Sequence, residues 1–102
     1  NAIGAITSHI STKEEVEIKP VYDIYGIIGY NCFSSEERKA FEKYEKALDW
    51  AQIQAKEIAS SKAKARGAGE LTFFSEVNED YNKNVLLKTV VKARAVGNFS
   101  WL

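Results

Sequence analysis

The chain has 102 residues, enough for one hydrophobic core and too few for a second domain. Hydrophobic residues make up 45% and charged residues 27%, which excludes a disordered chain. Lys+Arg and Asp+Glu are both 14, a zero balance that argues against a dedicated nucleic-acid binder, and no apolar run approaches the roughly 18 residues of a membrane-spanning helix.

Asn1-Ala2 reads as the scar of a cleaved tag, which places a single α+β domain at residues 3–102. A natural segment starting at Ile3 without methionine favours an exported, cell-envelope protein over a cytoplasmic one. Residues 3–11 alternate Ala5, Thr7, His9 with Ile6, Ser8, Ile10, the period of a half-buried strand. The polar run Thr12–Glu15 then reads as a turn. The main second strand is expected at 21–31, with apolar residues on both faces, and Gly26 and Gly29 mark a bulge, a bend or a close backbone approach.

Ser34-Ser35-Glu36-Glu37 matches a capping box, so a helix is expected from there to Arg66, with Gly67 as its stop. Such a helix would be roughly 48 Å long, too long for a compact domain unless it projects or breaks, and the segment before Phe41 and Ser60-Ser61 are the candidate breaks. Its apolar stripe is Phe41, Tyr44, Leu48, Ala51, Ala55 and Ile58, kept thin by the alanines so that helix and sheet approach closely. Residues 70–78 and 84–97 read as strands joined by a short polar link, hence an antiparallel hairpin. The expected architecture is a two-layer sandwich in the order β-β-α-β-β, one long helix on a four-stranded, mainly antiparallel sheet. Whether the first strand pairs with the second or the fourth stays open.

Three segments together resemble the YbjQ family, small domains described as heavy-metal-binding, with an RcsF-related fold. They are Tyr25-Gly26-Ile27-Ile28-Gly29 in an aromatic strand, Ala63-Lys64-Ala65-Arg66-Gly67-Ala68-Gly69 at the helix exit, and the closing strand Thr89–Val96. The resemblance spans about residues 18–97. It implies a homo-oligomer, often a pentameric ring, and a metal-binding label.

The residues with chemical potential are few. A soft-metal site needs about four Cys or His ligands, so His9 and Cys32 are candidate ligands only if a ring gathers one from each subunit. Cys32 ahead of a helix N-terminus, with His9 on a paired strand, forms a conceivable Cys–His dyad, and its plain alternative is a small apolar residue ending a strand. Gly67-Ala68-Gly69 leaves a helix rather than opening one, so it is a cap and a turn instead of a phosphate cradle. Lys88, Lys92 and Arg94 alternate along one strand face, as a solvated edge guard or an anionic-partner surface. Trp50 and Ile53 fall outside the helix core stripe, and Phe99 and Trp101 follow the last strand, so these four are the candidate interface residues. The expected function is therefore a small homo-oligomeric binding or assembly domain, not an enzyme, with a protein partner as a further option and no identifiable cofactor. The alternative is a metal-binding ring with an inter-subunit site.

Overall fold

The computed structural model describes residues 9–99. Among the described residues the chain forms β1 (His9–Asp23), β2 (Gly26–Phe33), β3 (Arg38–Phe41), α1 (Tyr44–Ala65), β4 (Ala68–Asn82) and β5 (Val85–Phe99). The α+β class holds, but the sheet has five strands in the order β3-β2-β1-β5-β4 and the chain order is β-β-β-α-β-β. Every neighbouring pair is antiparallel. The expected tag remnant at 1–2 and the strand start at Ile3 lie outside the described residues.

β1 runs straight through the segment expected to turn at Thr12–Glu15. Ile10, Thr12, Glu14, Val16 and Ile18 are buried in strict alternation under α1, while Ser11, Lys13 and Glu15 face the open side. The polar members of the buried row each have a partner. Thr12 Oγ1 donates to the Ala59 carbonyl at 2.6 Å. Glu14 accepts from the Ser35 amide at 2.8 Å and from Lys62 Nζ at 3.1 Å. Two polar residues at core positions made this stretch look like a turn, and their partners lie 47 and 48 positions away, out of reach of local pattern. β1 is central, pairing with β2 and β5 at once.

The expected strand over 21–31 is two strands. Asp23 Oδ1 accepts the Tyr25 amide at 2.7 Å, and Gly26 takes φ +128, so the chain reverses at Ile24-Tyr25. Gly29 is the close approach, since a Cβ there would lie 3.1 Å from the Phe41 carbonyl oxygen.

The capping-box segment is the largest departure. Ser34 Oγ does accept the Glu37 amide, at 3.0 Å, and also the Glu36 amide at 3.2 Å. The Ser34 amide donates back to the Glu37 carbonyl at 2.9 Å, which closes a turn instead of opening a helix. The chain then returns beside β2 as the four-residue β3. α1 starts at Tyr44, ten positions later, with no side-chain cap on Lys43. The excess helix length is thereby resolved before Phe41, and the 22 remaining residues span about 33 Å. The helix stop is where the sequence puts it, with Arg66 as C-cap and Gly67 at φ +97 donating to the Lys64 carbonyl at 2.9 Å.

Ala47, Ala51, Ala55, Ala59 and Ala63 recur every fourth residue and are fully buried. Against them pack Val16, Ile18, Cys32, Val91 and Ala93 at one end and Ile10 and Ala95 at the other. The second hairpin turns at Lys83 and Asn84, φ 50 and 70, the paired left-handed turn that suits a twisted two-strand ribbon.

Candidate functional site

The strands outrun the helix. β1, β4 and β5 have 15 residues each, about 50 Å of strand against about 33 Å of helix. Among the described residues the layers finish together at the C-terminal end of α1, and the surplus lies beyond Tyr44 at the other end. The two hairpin turns meet there, joined by Tyr22, whose hydroxyl donates to the Leu86 carbonyl at 2.5 Å. The β4–β5 register slips by one residue between Lys88 and Leu86, so buried Leu86 continues the row of Thr89, Val91, Ala93 and Ala95, while Val85 and Leu87 beside it are exposed. Ile24 and Tyr25 at the β1–β2 turn are 89% and 91% exposed, and Tyr22, Ile27, Ile28 and Tyr81 are exposed as well. An apolar end of this size is unusual for a monomer.

Where this end meets the helix, a small polar cluster closes the core. Tyr44 donates to Glu79 Oε2, Tyr81 donates to Glu79 Oε1 at 3.0 Å, and the Tyr30 ring lies 5.3 Å from the Tyr44 ring. Burial, then the hydrogen bond to Glu79, pushes the Tyr44 hydroxyl up to about 12. The bond to Glu79 raises Tyr81 in the same direction. A neutral phenol donating to a carboxylate is a structural arrangement, since the Tyr44 hydroxyl holds its proton far above neutrality.

The candidate metal ligands are kept apart. Strands β1 and β2 do pair, but Cys32 sits opposite Ile18, nine positions along β1 from exposed His9, about 30 Å of strand. β3 follows Cys32, so Cys32 does not lead into a helix, and its thiol meets a carbonyl of α1, not the free amides at the helix start. Cys32 is fully buried with Sγ 3.8 Å from the Ala47 carbonyl, and burial pushes the thiol up to about 11. A Cys–His dyad within one chain is therefore ruled out by geometry. Among the described residues no three His, Cys, Asp or Glu side chains group as a metal site. No helix among them is long and apolar enough to cross a membrane.

The candidate interface residues separate by position. Trp50 is half-buried, turned from the outer helix face onto Phe41 of β3, with ring centroids 6.0 Å apart. Ile53 is 59% exposed and lines a groove of about 530 Å³ with Lys56, Ser60 and Phe73 on the β4 side of α1. Phe99 covers the helix stop, where a Cβ on Gly67 would meet its Cε2 at 2.6 Å. Trp101 lies outside the described residues. The hairpin end went unread because its residues looked like covered strand core, and only the length of α1 shows that they are not covered.

Lys92 and Arg94 project from the uncovered sheet face, but they do not form a basic stripe. In register, Lys92 lies between Glu15 and Glu76, and Arg94 between Lys13 and Phe74, whose ring it overlies at 5.1 Å. These side chains frame a shallow concavity of about 320 Å³ of mixed charge.

Comparison with protein-family models, with curated proteins and with solved structures finds no match.

Proposed function

We propose that this chain is a small homo-oligomeric binding and assembly module rather than an enzyme. The observation that carries this reading is the apolar hairpin end, where Ile24 and Tyr25 stand almost wholly in solvent beside Ile27, Ile28, Val85 and Leu87. Turn tips are ordinarily Gly, Asn, Asp or Ser, and nothing in the backbone of this turn calls for Ile and Tyr. Their use is understandable if a second copy covers them. The half-buried state of Trp50 and the packing of Phe99 on Gly67 move the weight of the contact from those residues to the hairpin end.

Light scattering on a sizing column from about 1 to 500 µM tests this, a range that brackets weak and tight association. A mass of two or more protomers is expected, falling toward one in the Ile24→Ser, Tyr25→Ser double variant without loss of helix signal. A strictly monomeric wild type at the highest concentration overturns the reading.

A further inference from the structure

The two edges of the sheet carry opposite charge. β4 is a 15-residue edge strand, irregular between Ala68 and Leu71, with Glu70, Glu76, Glu79 and Asp80 and no basic residue. β3, the other edge, carries Arg38 and Lys39 and no acid, and Glu36, Glu37 and Glu42 lie outside the strand in the segments at its ends. An edge strand has a row of unpaired amides and carbonyls along one side, and charge on it decides which partner is admitted. A β4–β4 contact holds acids and no base, and a β3–β3 contact holds bases and no acid, so neither offers an unlike pair. Only β3 against β4 brings unlike charges together.

Strand direction makes the arrangement specific. With antiparallel neighbours throughout, β3 and β4 run the same way at opposite edges. A second copy laid alongside with its helix on the same face therefore joins as a parallel pair. The register rows line up directly. Lys39, Cys32, Ile18, Thr89 and Glu79 form one row across the sheet, and Arg38, Phe33, Glu17, Val90 and Asn78 form the next. Without any sliding along the strands, the incoming Lys39 falls opposite Glu79. Arg38 falls opposite Asn78, diagonal to Glu76 and Asp80, and Phe41 falls toward exposed Tyr81. The flank bearing Trp50 on one helix comes beside the groove bearing Ile53 on the next, and the apolar hairpin ends of all copies lie along one rim.

We infer that the β4 edge of one copy pairs in parallel with the β3 edge of the next, a head-to-tail contact between unlike surfaces. This rests on the proposed self-association and adds an edge contact to it, distinct from the hairpin end that a further copy covers.

The test uses two charge-reversed chains at exposed positions, Arg38→Glu and Glu76→Lys/Asp80→Lys, which leave the Lys39–Glu79 pair unchanged. Circular dichroism first establishes that each is folded. Each alone now sets like charges together and is expected to dissociate at about tenfold or more lower dilution than wild type. An equimolar mixture restores unlike pairs at every contact between the two variants and is expected to assemble where neither variant does alone. Wild-type assembly is expected to weaken between about 0.05 and 0.5 M salt. If both variants assemble as wild type does, or the mixture stays monomeric, the edge pairing is wrong while the assembly reading stands. If wild type itself is monomeric throughout, both fail.

Discussion

The Tyr44 hydroxyl donates to Glu79 Oε2 at 2.5 Å and lies 2.9 Å from the Thr89 hydroxyl, so the first turn of α1 is fastened to both strands of the β4–β5 hairpin. With the Tyr44 proton directed at Glu79, Thr89 is left to donate to the phenol oxygen. α1 has no side-chain cap, and this cluster anchors its start instead. Tyr44→Phe is expected to cost about 1–2 kcal/mol, seen as a lower urea midpoint at unchanged slope. The native Tyr44 hydroxyl titrates at about 12 against an ordinary value of 10.0, so the folded state holds its proton more tightly. That stability is present below pH 10 and is lost as the pH rises toward 12, and Tyr44→Phe should flatten the alkaline decline.

Glu14 gives the corresponding effect on the acid side. Burial alone would raise its carboxyl, but the hydrogen bonds from Ser35 and Lys62 together outweigh burial and hold it below 4.5. The folded value is depressed, so the contribution is present above the unfolded pKa and is lost as the pH falls through the folded one. Glu14→Gln is expected to destabilise by about 1 kcal/mol at pH 7 and to shrink the loss seen below pH 4.5, measured by urea unfolding across that range.

Cys32 should behave as a core side chain. A thiol at about 11 is ionised in only about one molecule per thousand at pH 8, and it is sealed between β2 and α1. Alkylation by iodoacetamide at pH 8 is expected to wait for unfolding, with a labelling curve that coincides with the loss of helix signal in urea. Rapid labelling of the native protein would show that this seal opens. Zinc titration of the Cys32→Ala variant and of wild type should give the same response, because the buried thiol is out of reach of a metal.

The elements with local causes were legible in the sequence. Alternation, alanine spacing and the Gly67 stop place the helix C-terminal half, the closing hairpin and the α+β class, because each depends on contacts between near neighbours. Ser34 shows where this breaks down. Its hydroxyl caps the Glu37 amide as the sequence suggests, but the same bond serves a helix start or a strand-to-strand turn. The choice fell to β2, whose free edge pairs with Arg38–Phe41. Trp50 shows the same limit, since β3 supplies the Phe41 ring on which it packs.

What the sequence determined by itself is the periodicity of each segment, the charge on each strand and the limits set by one cysteine and one histidine. These are properties of a residue and the few beside it. The tertiary structure alone decided that Thr12 and Glu14 are core residues with partners, that His9 and Cys32 lie far apart, and that the hairpins run past the helix into solvent. Burial and register come from elements brought together over tens of residues. A side chain's exposure therefore depends on how far the covering helix reaches, a length that neither the strand nor the helix pattern contains alone.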